Sequence, residues 1–301
     1  PVVCGVGGGV TDGIRSVMLA KDAEAQGAFG VVVNAPMRNQ TVETMKKVVD
    51  IPIIATVTSE KYDIAARLAA GASVLNVSAA ERTAGVVRKI REKFPDVPII
   101  ATGGPGMVKA AYSAGKPALG VGAGNSPSYI ERTADIRQSV SDIINSKTFD
   151  NGTICASEQS VVVDRCIADR VMDEFRAQGG YFMSAEETNK VCKLLFKNGT
   201  SMNAKFVGRS AKYIADAAGV QIPDGTKVLL GKQEGVGPEY PLSYEKLTTV
   251  LAFYVVEDCS EACELSYKLL QNGIGHTMSV HTENPDVARA FSAKPASRIL
   301  I

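Results

Sequence analysis

The chain has 301 residues, 45% of them hydrophobic and 22% charged, an ordinary soluble globular composition with enough length for two domains. Its 33 basic and 32 acidic residues leave a net charge of +1 with no long run of either sign, which argues against a nucleic-acid tail or a polybasic membrane patch. No run approaches the roughly 18 apolar residues of a membrane span, and no basic segment leads into an apolar one at the N-terminus. The six cysteines form no CxxC pair and only two histidines are present, so no metal site is expected and the thiols suit a reducing cytoplasm.

In chain order, the first hundred residues repeat one unit. Apolar strands "VVCGV", "FGVVVN", "PIIATV", "SVLNV" and "VPIIAT" alternate with amphipathic helices such as "DGIRSVMLAKDAEAQG" and "KYDIAARLAAG". Continuous apolar strands separated by helices predict a parallel sheet of βα units, as a partial (βα)8 barrel or an open doubly wound sheet. The strands end in Asn34, Thr56, Asn76 and Thr102, polar groups that face a ligand in a barrel or hydrogen-bond local turns. Residues 1–104 resemble the first strands of a (βα)8-barrel family of bacterial proteins named as hydrolases, a name that implies little about chemistry.

The character changes at "ATGGPGMVKAAYSAGKPALGVGAGNSP", residues 101–127. A strand running into glycines and then a helix presents backbone N–H groups to a phosphate, although Gly103, Gly104 and Gly106 do not match GxGxxG. A helix capped by Thr133 is expected over "TADIRQSVSDIINSK", then a cysteine loop and the strand "SVVVD". "SAEETNKVCKLLFK" opens with a capping box, Ser184 to Glu187. Strands at "TKVLLG", "TTVLAFYVV" and "TMSVHT", with helices at "SAKYIADAAG" and "SEACELSYKLLQNG", complete a second α/β unit. The chain opens on "PVVCGVGGG" without an initiator Met and closes on "ASRILI", which reads as a fragment.

The cysteine loop, "TFDNGTICASEQ", sets Cys155 after an Asn151-Gly152 turn signal. Alone, that thiol reads as a small core residue. Residues 99–301 as a whole, however, resemble the CoA-acylating aldehyde dehydrogenases, including the aldehyde half of the bifunctional aldehyde/alcohol dehydrogenases. The carrying pieces, in family order, are "IIATGGPGMVKAAYSAGKPALGVGAGNSP", "SKTFDNGTICASEQSVVV", "YEKL", "GIGHT" and "ASRILI". The resemblance implies Cys155 as nucleophile, and His276 of "GIGHT" reads either as a group near the thiol or the acyl acceptor or as a hydrogen-bonded structural histidine. It implies Thr102, Gly103, Gly104 and Gly106 as the cofactor turn, and Glu245 as the ribose contact. NAD is the implied cofactor, CoA the co-substrate and a short aldehyde the substrate. Nucleic acid and membrane are not expected as partners, and a homo-oligomer is compatible with the resemblance.

The expected fold is therefore α/β. Parallel βα units span 1–100, a remnant of a dinucleotide-binding domain spans 101–121, and an aldehyde-dehydrogenase-like catalytic domain, truncated at its C-terminus, spans 122–301. Glu158 is expected as a solvated carboxylate, Lys116 and Lys246 as surface charges, and His281 as a surface strand residue. Two departures stand out. The family's N-terminal adenine-side strands are replaced by the βα units, and Thr249 stands where the family has proline after "EKL". The competing readings are a phosphate- or nucleotide-binding α/β protein without catalysis, and a non-functional fusion of two unrelated gene pieces at "PIIATGGP".

Overall fold

The computed structural model describes residues 3–7, 11–59, 61–79, 82–101, 109, 112–113, 124–197, 199–270, 276–293, 296 and 298–301. Thr102, Gly103, Gly104, Gly106, Lys116 and Val121 lie outside the described residues. The chain divides into two compact units, Pro1–Gly120 and Val121–Ile301.

In the first unit, apolar runs become strands and the amphipathic stretches between them become helices. In order they are β1 (Val3–Gly5), α1 (Ile14–Ala25), β2 (Gly30–Val33), α2 (Asn39–Lys46), β3 (Ile53–Val57), α3 (Ile64–Ala69), β4 (Val74–Val77), α4 (Thr83–Lys93) and β5 (Ile99–Ala101). All four strand pairings are parallel and the sheet order is β1-β2-β3-β4-β5. A doubly wound sheet reverses its order at a switch point, where ligands bind. Among the described strands of this unit the order never reverses.

Three of the polar strand ends, Asn34, Thr56 and Asn76, bond one another across neighbouring strands. Thr56 Oγ1 donates to Asn34 Oδ1 at 3.1 Å, and Asn76 Nδ2 donates to Thr56 Oγ1 at 3.3 Å. They form a rung across the carboxyl ends of β2, β3 and β4. Beside β1, the Asp12 carboxylate accepts from Thr41 Oγ1 at 2.5 Å, Gly13 N at 2.6 Å and Arg38 Nε at 2.7 Å, tying the loop before α1 to α2. The Thr41 hydrogen bond, with those from Arg38 and Gly13, holds this carboxyl at about 2.

The second unit carries β6 (Ser126–Ile130), α5 (Ile136–Thr148), β7 (Glu158–Asp164), α6 (Ala168–Ala177), β8 (Gly180–Met183) and α7 (Ala185–Leu195). There follow β9 (Phe196–Lys197), β10 (Ser201–Met202), α8 (Ala211–Ala218), β11 (Val228–Lys232), β12 (Val250–Val256) and α9 (Cys259–Leu270). The chain closes through β13 (Thr277–His281), α10 (Pro285–Ser292) and β14 (Arg298–Leu300). Seven strands form one parallel sheet in the order β14-β13-β6-β7-β12-β11-β8. The β9 and β10 strands pair antiparallel apart from it.

Strand side chains alternate between two cores. Ile130, Val161, Val163, Leu230 and Phe253 pack with α5 and α6, while Tyr129, Val162, Leu229, Ala252 and Met278 pack with α7 to α10. Both faces are covered, which is why β7 and β12 read as unbroken apolar runs. Each fully buried aliphatic side chain contributes about 1.5–3 kcal/mol. The capping box of α7 is present in both directions, Ser184 to Glu187. The cap of α5 is not Thr133 but Asp135, whose carboxylate accepts from Gln138 N at 3.0 Å. Thr133 instead turns to the buried Glu131 carboxylate, which also accepts from Thr282 Oγ1 at 2.9 Å.

Candidate active site

In a parallel sheet every strand begins at the same edge. The segments leading into β13, β6, β7 and β12, four adjacent strands, carry His276, Gly124 with Asn125, Cys155, and Glu245 through Thr249 respectively. The amino-terminal edge of this sheet therefore gathers Cys155, His276 and Glu245, with Cys155 lying 90 or more positions from the other two in the chain. The gathering is a product of strand order, which periodicity cannot reveal.

Local sequence builds the cysteine loop. Helix α5 ends at Thr148, and Asp150, Asn151 and Gly152 then adopt left-handed backbone in succession, with φ of 47°, 49° and 73°. Asn and Asp tolerate that region because their side chains bond locally. At Gly152 a side chain is excluded by space as well, since a Cβ would sit 2.6 Å from the Thr248 carbonyl oxygen. Thr153 Oγ1 donates to Asp150 Oδ2 at 2.6 Å, and Ser157 N donates to Ile154 O at 3.0 Å, closing a turn around Cys155. Cys155 itself is exposed.

A lattice of buried polar groups supports that loop. Lys147, at the end of α5, is fully buried, and its Nζ donates to Gln159 Oε1 at 3.1 Å and to the Lys246 carbonyl at 2.9 Å. The same Gln159 oxygen accepts from Lys246 N at 2.8 Å. Asn125 Nδ2 donates to the Ser243 and Leu269 carbonyls at 2.7 and 2.6 Å. Glu245 Oε1 accepts from Gly124 N at 2.7 Å.

Three expectations are corrected here. Lys246 is not a surface charge: it is fully buried, with Nζ donating to the carbonyls of Leu242 and Tyr244. Glu158 is buried, not solvated, and burial pushes its carboxyl up despite Ser146 and Lys147 beside it. His281 is half-buried on β13, and burial lowers its pKa. Burial likewise drives Lys147 down to about 7 and Lys246 well below the ordinary lysine range, and raises Glu245. Sequence reasoning passed over Gly124, Asn125, Lys147 and Gln159, whose partners are long-range.

His276 accepts the Thr277 amide on Nδ1 at 2.9 Å. A nitrogen that accepts carries no proton, so the neutral ring holds its proton on Nε2. Among the described residues no group of three or more His, Cys, Asp or Glu is placed to hold a metal, and no helix is long and apolar enough to cross a membrane. A cleft of about 630 Å³ opens at the opposite edge of the sheet, past Lys232 of β11 and Val256 of β12, away from the cysteine loop.

Residues 99–240 match the aldehyde dehydrogenase family. The chain is 47% identical over 213 residues to the bifunctional aldehyde-alcohol dehydrogenase of Escherichia coli strain K12, covering 69% of this chain and 24% of that protein. It is 41% identical over 206 residues to the acetylating succinate-semialdehyde dehydrogenase of Clostridium kluyveri, covering 67% and 45%. The chain thus spans between a quarter and a half of these relatives. The acetylating aldehyde dehydrogenase of Geobacillus thermoglucosidasius matches in structure with a TM-score of 0.68 and 37% identity, over 99% of this chain and 64% of that one. The likeness in structure therefore takes in the βα units that precede the sequence match.

Proposed function

We propose, on the match of residues 99–240 to the aldehyde dehydrogenase family, that this chain is the thiol-bearing part of an NAD-dependent, CoA-acylating aldehyde dehydrogenase. The observation that carries the reading is the placement of an exposed Cys155 on a loop held by three left-handed residues, at the edge where His276 and Glu245 also begin their strands. The acetylating relatives support the acyl-transfer half of it.

The Cys155 sulfur, as thiolate, attacks the carbonyl carbon of a short aldehyde. A C–S bond forms as the C=O π pair moves to oxygen, giving a thiohemiacetal alkoxide whose carbonyl re-forms when the hydride leaves. NAD, when bound, supplies the acceptor for the hydride leaving that carbon. The Cys155 thioester that remains is attacked by the CoA thiolate, which forms acyl-CoA and returns the Cys155 thiolate. His276, with its proton on Nε2, serves as hydrogen-bond donor near the thiol or the incoming acceptor. Glu245 is the carboxylate suited to ribose hydroxyls, and its place on the cysteine edge fits such a ligand.

The test is NADH formation by the purified chain with several short aldehydes, with and without CoA, beside Cys155→Ala. The expected result is CoA-dependent NADH formation lost in the variant. Equal rates in the two proteins would end this reading.

A further inference from the structure

We propose that Glu245 is a positioning residue for the Cys155 thiol, acting through Gly124. This rests on the reading of Cys155 as nucleophile and adds to it a task for Glu245 that needs no cofactor. The Glu245 carboxyl accepts the Gly124 amide at 2.7 Å. Gly124 in turn lies against the Cys155 main chain: a Cβ there would fall 2.0 Å from the Cys155 carbonyl oxygen and 2.8 Å from its carbon. No other residue fits that contact, because the atom it would strike is backbone and not the movable end of a side chain.

The support behind the carboxyl is rigid. Lys246, the next residue, is pinned through its amide to Gln159, and Ser243 through its carbonyl to Asn125. Glu245 therefore stands between two fixed points and holds the residue that abuts the nucleophile. A half-buried carboxyl with one strong partner has a defined position, and a single hydrogen bond of this kind fixes the register of one loop against the next. The chain is Glu245 Oε1 to Gly124 N–H, then Gly124 main chain to Cys155 main chain, then Cys155 Sγ.

The experiment measures alkylation of each cysteine by iodoacetamide, peptide by peptide, with no cofactor present. A ribose-binding role for Glu245 cannot move this readout. Cys166, also exposed, is the internal reference. In Glu245→Ala the Cys155 rate is expected to fall at least about threefold, within what one hydrogen bond contributes, while the Cys166 rate holds. Glu245→Gln keeps an oxygen for the Gly124 amide and should retain the Cys155 rate. Glu245→Asp keeps the charge but withdraws the oxygen by one methylene, and should behave as Ala does; it also stands in if Glu245→Ala fails to fold. An unchanged ratio of Cys155 to Cys166 in Ala or Asp overturns the proposal, as does a Gln variant as slow as Ala. A parent protein in which Cys155 reacts no faster than Cys166 would instead count against Cys155 as the nucleophile.

Discussion

Gln159 Oε1 accepts a hydrogen bond from the Lys147 ammonium at 3.1 Å, with both side chains fully buried. The same oxygen holds the Lys246 amide, so one uncharged side chain joins the end of α5, the start of β7 and the segment before β12. Removing a lysine ammonium from water is costly, and two hydrogen bonds offset only part of that cost.

A pH dependence of stability follows from Lys147. Its folded pKa, about 7, lies below the ordinary 10.5. Between those values the unfolded chain holds a proton that the folded chain has released, so stability rises with pH through this window and is lowest below it. The slope is at most about 1.4 kcal/mol per pH unit for one proton. Urea denaturation at pH 7 and pH 9 should show the parent gaining stability relative to Lys147→Met. The Lys147 charge is also one cause of the low Lys246 pKa, so the difference reports Lys147 together with its effect on Lys246. Identical gains would refute the assignment.

Gly152 and Gly219 form a matched pair for the cysteine loop. Both have left-handed backbone, with φ of 73° and 67°, but a Cβ on Gly152 meets the Thr248 carbonyl oxygen at 2.6 Å while one on Gly219 meets nothing within 4 Å. Gly219→Ala should cost only the conformational penalty, about 1–2 kcal/mol. Gly152→Ala should cost about 1–3 kcal/mol more, the range for overpacking, and slow Cys155 alkylation as well. Chemical denaturation of both variants decides it, and equal losses would mean the loop moves aside freely.

What the sequence revealed and what it hid divide along physical lines. The runs "SVVVD" and "TTVLAFYVV" announced β7 and β12 because both of their faces are buried. The capping box of α7 was legible because it lies within four residues. The strand β6, central between β13 and β7, was missed. Its "SPSYI" has no apolar run, and Pro127 argues against a central strand. The fold admits it through a register shift between Ser126 and Pro127, and through a Ser279-to-Ser128 hydrogen bond of 2.8 Å. Lys246 and Glu158 read as surface charges because their surroundings come from distant segments. Cys155, His276 and Glu245 were found by resemblance to a family, and their sharing of one sheet edge required the strand order.

Asn125 tests the support of the segment before β12. Its amide nitrogen alone bridges the Ser243 and Leu269 carbonyls, in a setting that is 1% exposed. Asn125→Ala removes two buried hydrogen bonds and should destabilise the chain by about 1–3 kcal/mol, read from the denaturation midpoint. A loss under about 0.5 kcal/mol, the level of a surface change, would show that water replaces the amide.

The acyl acceptor gives the last prediction. Hydrolytic aldehyde dehydrogenases resemble this chain around "GVGAGNSP" but carry a glutamate at the position of Val121, where it activates water against the thioester. Val121 lies outside the described residues, and its side chain has no proton acceptor whatever its placement. No acidic residue occurs between Lys109 and Glu131. Among the described residues, the carboxylates at the cysteine edge are otherwise engaged: Glu245 holds the Gly124 amide, Asp150 accepts from Thr153 Oγ1, and Glu158 is buried beside Lys147. General-base assistance is worth about 10² to 10⁴ in rate, so its loss leaves water a slow acceptor. A thiol such as CoA needs less help, because a few per cent is already ionised near neutral pH. Product analysis after aldehyde oxidation should therefore show acyl-CoA, with free acid forming slowly when CoA is withheld. Val121→Glu should speed acid formation and leave the dependence on Cys155 intact. Free acid formed at full rate without CoA by the unmodified chain would overturn the assignment, because water would then have found a base that none of these residues supplies.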